Sequence, residues 1–527
     1  MRFSLLRIVA AVCSTVFLSS LAIAEVTFNR GIDADPETLD PHKTSSVVES
    51  TILRDLLEGL VIYNTKAEVV PGAAESWTVS DDGRTYRFRL RDAKWSNGEP
   101  VTAADFVYSY RRIMSPATGA KYANILFPIL NAERINKGQS QTEELGVRAV
   151  DDRTLEITLE RPTPYFLELL THQTSLPVHP ASVESHGTAF VKPGNYVSNG
   201  AYVLSDVVPN SHIRAIKNLR FYDAKNVNIE VINYIPTPDL GAAVRRYQAG
   251  ELDFLSDLPG NQIKTLKQRF GTQVVLGPYL GVWVLILNTS KPPLADVRIR
   301  RGLSMAIDRD FIAEQIWGET MLPAYSFVPP GINNYGVPAS LPEKDLSVIE
   351  REGQAKKLLS DAGYGPGGKP LKVEIRYNMS DNNKNSAVAI ADMWKQIGVE
   401  TTFVSTDLKT HFAFLRERGD FDVARYGWIG DYSDPQNFLF LVQSGNTGFN
   451  AGRYQNVEYD ALMREASTQT DLRRRADVLK RAEEIFVRDL PWIPVLHFGT
   501  KNLVSPRLRG FSQNLRGVAP TRFLSIQ

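Results

Sequence analysis

The chain has 527 residues, with 60 basic against 59 acidic side chains and a single cysteine. A length of this order suggests about two to four domains, and so even a charge balance argues against a nucleic-acid or membrane-surface partner, which calls for a basic patch or helix. With Cys13 alone, a small disulfide-stapled scaffold is excluded, and large apolar cores must supply the stability.

The first 24 residues read as an export signal. Arg2 and Arg7 precede an apolar run from Ile8 to Leu18, and Ala22-Ile23-Ala24 supplies a small–x–small cleavage pattern. The run is too short for a stable membrane span, so cleavage after Ala24 and a periplasmic product are expected.

Further on, Glu49–Leu60 has the pattern of an amphipathic helix closed by Gly59. Trp77 and Val79 lead through Ser80-Asp81-Asp82-Gly83 into a second strand. There Tyr86, Phe88 and Leu90 alternate with Arg87, Arg89 and Arg91, which places the arginines on the wet face. Thr102–Met114 reads as a helix with Thr102 at its N-cap and Asp105 three residues on. Leu155, Ile157 and Leu159 alternate as a strand, and residues 161–200 read as a loop-rich crossing.

Strands are expected at 201–208 and 229–235, a helix at 240–249, and a buried strand at Leu280–Leu287 after the punctuation of Gly277-Pro278. Helices at 298–308, 356–362, 387–397, 410–417 and 472–489 alternate with strands at 373–377 and 403–405. Such alternation marks an α/β architecture. No long flexible linker interrupts it, so the domains should pack against one another.

No motif for catalysis emerges. The seven histidines form no His-x-x-x-His or His-Glu-x-x-His pair, and there is no nucleophile elbow, Walker loop or dinucleotide fingerprint. No metal or cofactor is therefore expected, and a binder is favoured over an exported hydrolase built from scattered acids.

The most informative stretch is FDVARYGWIGDYSDP, residues 421–435. Phe421, Val423 and Arg425 share one face of a strand, and a guanidinium on an apolar face is costly unless an anion meets it. Asp431 follows six residues later, beyond Trp428 and Gly430. Six residues extend about 20 Å at most, so one segment could hold both ends of a small zwitterion. The alternative is that Arg425 and Asp431 pair with neighbouring side chains.

These motifs resemble the periplasmic oligopeptide- and dipeptide-binding proteins of ABC importers. The likeness covers DPHKTSSVVESTILRDLLEGL from Asp40, the stretch Gly72–Arg112, SNGAYVL from Ser198, AGELDF from Ala249, KPPLADVRIRRGLSMAIDRD from Lys291, AKKLLSDAGY from Ala355, and residues 421–435. The resemblance implies a two-lobe α/β binding protein with two hinge strands, near Gly281 and Phe498, and an extra domain inserted in the first lobe. Lobe one would comprise residues 25–57, 182–280 and 499–527, the insertion 58–181, and lobe two 281–498.

It further implies a monomer that closes on a short peptide and delivers it to a membrane permease. By the same resemblance Asp431 would bind the peptide's amino terminus, and Ser45, Val47, Tyr426, Gly427 and Trp428 would lie along its backbone. Arg416 and Arg425 would take a carboxylate, and Tyr122 would cover the ligand. The same fold carries other cargo in related proteins: nickel chelates, haem, murein peptides and opine-like derivatives.

Overall fold

The computed structural model describes residues 25–44, 46–365 and 368–527. The expected signal and Ser45 lie outside the described residues.

Two strands organise the molecule. Val274–Leu287 and Trp492–Val504 pair antiparallel over almost their whole lengths, from Val274↔Leu503 to Ile286↔Trp492. Both run through the middle of an 11-stranded sheet, in which the short strand Met321–Pro323 pairs with Trp492–Val504 outside the main order. On one side the order continues through Val423–Ile429 and Leu371–Asn378 to Val399–Thr406. On the other it passes Phe254–Leu255, Thr27–Ile32, Val231–Pro236 and His212–Lys217 to Tyr202–Val208. Parallel pairs (Thr27↔Val231, Leu371↔Val399) sit beside antiparallel ones, as expected when helices cross over the faces.

The pairing of the two long strands breaks register between Pro278 and Val282. Pro278 donates no ladder hydrogen bond, and a bulge is where a central strand tolerates it. At the same break Gly281 is buried, and a Cβ there would lie 2.8 Å from Phe498 Cδ2 and 3.0 Å from the Trp428 carbonyl. Glycine is thus required for closeness rather than for conformation.

A separate four-stranded antiparallel sheet joins Ala74–Val79, Thr85–Leu90, Thr154–Thr158 and Val147–Asp151. Tyr86, Phe88 and Leu90 point inward while Arg87 and Arg89 lie exposed, as the alternation predicts. Helix Ala103–Met114 packs on this sheet, with Thr102 and Asp105 forming the capping box. The core divides at the long strands. One cluster gathers Phe28, Leu53, Phe88, Phe106, Tyr202 and Tyr234, and so joins the small sheet to the amino-terminal half of the large one. A second gathers Trp283, Ile375, Trp394, Phe438, Phe486 and Trp492, and a smaller third gathers Ile235, Val244, Tyr247, Leu258 and Leu503. Trp283 and Trp492 are almost wholly buried, and truncating such a ring typically costs about 3–5 kcal/mol.

Candidate ligand-binding site

Strand Val423–Ile429 leaves half of one edge open. Strand Val274–Leu287 covers one side throughout, from Leu287↔Val423 to Gly281↔Ile429. On the other side Leu371–Asn378 pairs only with Val423 and Ala424. In an antiparallel ladder the backbone groups of successive residues point alternately toward and away from the partner. Gly430 N donates to Leu280 O at 2.8 Å, whereas the Arg425 carbonyl turns outward to accept from His411 Nε2 at 2.8 Å. By that alternation Gly427 and Ile429 direct their N–H and C=O to the open edge, and Tyr426 and Trp428 direct theirs inward. The expected backbone run Tyr426–Trp428 therefore offers only Gly427, and Ile429 extends it.

Beyond the strand, Asp431 is presented by a braced loop. Arg516 donates to the carbonyls of Gly430 at 2.6 Å and Asp431 at 3.1 Å. Asn437 Oδ1 accepts from Trp428 Nε1 at 2.9 Å and from Asp431 N at 3.4 Å. Asp434 is clamped by both Arg475 amino groups at 2.6 and 2.9 Å, and Tyr432 stacks on Tyr165 at 4.7 Å. With the backbone so held, the Asp431 carboxylate is half-buried and makes no hydrogen bond or ion pair with another described residue. Burial pushes its pKa up, opposed by the Arg516 guanidinium. A carboxylate held part way out of water without a partner favours an arriving cation.

Two cavities meet at Asp431. The smaller, about 150 Å³, also touches Val47, Arg54, Tyr122, His172, Tyr279 and Arg516. The larger, about 530 Å³, is walled by Trp428, Tyr165, Tyr432, Phe440 and Phe449. The Trp428 ring sits edge-on to Phe440 and Phe449, at 5.8 and 5.3 Å, so it serves both as packing and as wall. Tyr122 stacks on His172 at 5.5 Å, and burial together with the Asp431 charge raises its phenol pKa. His172 is pushed down to about 3 by burial and by Arg54 and Arg516, so it stays neutral.

The structure thus gathers Asp431, Tyr122, Val47 and Trp428 around one gap. Val47 opens helix Val47–Leu56 after the N-cap Ser46 and belongs to no strand. What it brings is one of the amides that a helix leaves without an internal partner.

The two arginines stand apart and line neither cavity. Arg425 meets neutral groups where the sequence demanded an anion. Its Nη1 donates to Asn378 Oδ1 at 2.9 Å and its guanidinium lies 5.7 Å from the Trp283 ring. Burial lowers it to about 10. A ring face and an amide oxygen offset only part of that burial. Arg416 ends helix Leu408–Arg416, exposed, near enough to the Tyr426 phenol to lower that group's pKa against the larger effect of burial.

Arg54, Arg516, Tyr279 and Ile429 were not anticipated. Arg54 lies within the ESTILRDLLEGL helix, next to Asp55 and between Leu53 and Leu56, and that context reads as an ordinary charged pair on a helix.

The family model for bacterial extracellular solute-binding proteins, family 5 (middle region), matches residues 68–450. The chain belongs to this family. It is accordingly a binding protein and not an enzyme, with the two-lobe α/β architecture. The periplasmic murein peptide-binding protein MppA of Escherichia coli K12 is 38% identical over 98% of this chain and 99% of its own length. The periplasmic oligopeptide-binding protein OppA of the same organism is 38% identical over 92% of this chain and 90% of its own. The unliganded open form of MppA superposes with a TM-score of 0.90 at 38% identity, covering 95% of this chain and 98% of that one.

Proposed function

We propose that this protein is the periplasmic substrate-binding subunit of an ABC importer, and that it takes short peptides between its lobes and delivers them to a membrane permease. The observation that carries the reading is the unpartnered Asp431 carboxylate at the end of an open strand edge. An extended peptide adds a strand to such an edge through backbone bonds that are indifferent to its side chains. Its terminal ammonium then meets Asp431, which fixes direction and start.

In this reading residues 1–24 are removed on export, and the mature chain works as a monomer. No helix among the described residues is long and apolar enough to cross a membrane. Lobe one is residues 25–57, 182–280 and 499–527, the inserted domain 58–181, and lobe two 281–498. Closure bends the two long strands near Gly281 and Phe498. Gly427 and Ile429 pair with the peptide backbone, Val47 faces it from the other lobe, and Tyr122 covers its first residue. Arg425 and Arg416 serve the carboxylate of longer ligands reaching back along the strand. A murein peptide is the second reading, favoured by the identity to a relative so named.

The test is mass spectrometry of small molecules released on denaturing freshly purified protein, followed by calorimetric titration with tri- to pentapeptides. Peptide masses and saturable heats are expected. A non-peptide solute in the first measurement and no heat in the second would overturn the reading.

A further inference from the structure

The smaller cavity beside Asp431 carries more positive than negative charge. Arg30, Arg54 and Arg516 line it against the single carboxylate of Asp431. The three are unequally balanced. Arg30 donates to Ala519 O at 2.8 Å, lies over the Phe254 ring and feels the buried Asp55 carboxylate. Arg516 holds the Gly430 and Asp431 carbonyls and feels Glu168 and Asp431.

Arg54 has least. Its one hydrogen bond to a described residue is a 3.4 Å contact from Nη2 to the Thr171 carbonyl, and its buried Nε, like those of Arg30 and Arg516, has no partner. It makes no ion pair with a described residue, and burial with repulsion from Arg516 lowers it to about 10, only partly offset by the more distant Asp55 carboxylate and by Tyr63 and Tyr279. A buried guanidinium short of acceptors is stabilised most by a planar anion that uses its fork of N–H groups.

We propose that Arg54, with Arg516 behind it, forms an anion subsite next to Asp431, and that the protein selects peptides carrying a carboxylate on one of their first two residues. The inference rests on the peptide reading above. A cavity of about 150 Å³ is of the size that admits a six-membered ring, so a carboxymethyl or carboxyethyl side chain fits it. Ammonium and carboxylate are then read side by side, the first by lobe two and the second by lobe one.

The experiment is calorimetric titration of the mature protein with Glu-Ala-Ala and Ala-Glu-Ala against Gln-Ala-Ala and Ala-Gln-Ala. One glutamyl peptide should bind about tenfold or more tightly than its glutaminyl twin, the scale of a hydrogen bond to a charged group. Arg54→Gln should bring that ratio close to one, and Arg54→Lys, which keeps the charge without the fork, should restore part of it. Equal affinities within both pairs, or a preference that survives Arg54→Gln, would overturn the subsite and leave the peptide reading intact. Failure of all four peptides to bind would overturn the peptide reading and the subsite with it.

Discussion

Replacing Ile429 by proline isolates the open strand edge. Ile429 pairs with Gly281 at a position whose N–H points away from strand Val274–Leu287, and the residue is 49% exposed. Proline there removes a donor the fold does not use, and the edge of a sheet is where a strand accepts it. Stability should therefore stay close to wild type. Peptide binding should not. The lost backbone bond contributes about 0.5–1.5 kcal/mol, and the ring also crowds the approaching strand. Together these should weaken affinity by roughly tenfold. Calorimetry with tri-alanine reads the affinity, and urea denaturation confirms the fold. Unchanged affinity in a folded Ile429→Pro protein would refute the strand-addition geometry.

Other consequences concern protons and packing. Burial raises the Asp431 pKa in the empty protein, and only the carboxylate attracts an ammonium. Peptide affinity should fall on acidification, beginning above the ordinary carboxylate range, while Asp431→Asn should bind weakly at every pH; calorimetry from neutral pH to about pH 4 compares them. Glu483 is fully buried, accepts from Tyr335 Oη and from the amides of Val328 and Ala339, and is raised by burial from 4.5 to about 7. Its folded pKa exceeds the unfolded one, so its contribution to stability is complete below the unfolded pKa and is lost as pH rises through about 7. The loss approaches roughly 3 kcal/mol. Urea midpoints of Glu483→Gln should therefore vary less than wild type between these limits. Gly281→Ala should force Phe498 and the Trp428 carbonyl apart at the crossing of the long strands, costing about 1–3 kcal/mol, visible as a lowered thermal midpoint.

Local signals in the sequence were sufficient where chemistry is local. The Thr102–Asp105 capping box and the alternation through Tyr86, Phe88 and Leu90 placed a helix and a hairpin where they occur. Strand Trp492–Val504 was expected only through the resemblance, as a hinge near Phe498, because it is buried at its start on both faces and interrupted by Pro494 and Gly499, residues that ordinarily end strands. Gly277-Pro278 misled in the same way: it lies inside strand Val274–Leu287, at the register break that makes proline tolerable. In the site, Asp431 could be read from its own segment, since loop, strand and acid are contiguous. Arg54 and Arg516 could not be brought together, because they come from opposite ends of the chain and meet only through tertiary packing. The anion sought for Arg425 was a sound demand on burial cost, yet Asn378 and the Trp283 ring meet part of it, and neither is marked in the sequence.

The central claim is that a ligand's terminal ammonium pairs with Asp431. A calorimetric cycle tests it most directly: tri-alanine and N-acetyl-tri-alanine, each titrated into wild type and Asp431→Asn. Acetylation should cost wild type about 2–5 kcal/mol, the usual loss on truncating a buried charge pair, and should cost the Asp431→Asn variant far less. Equal penalties in the two proteins would contradict the claim.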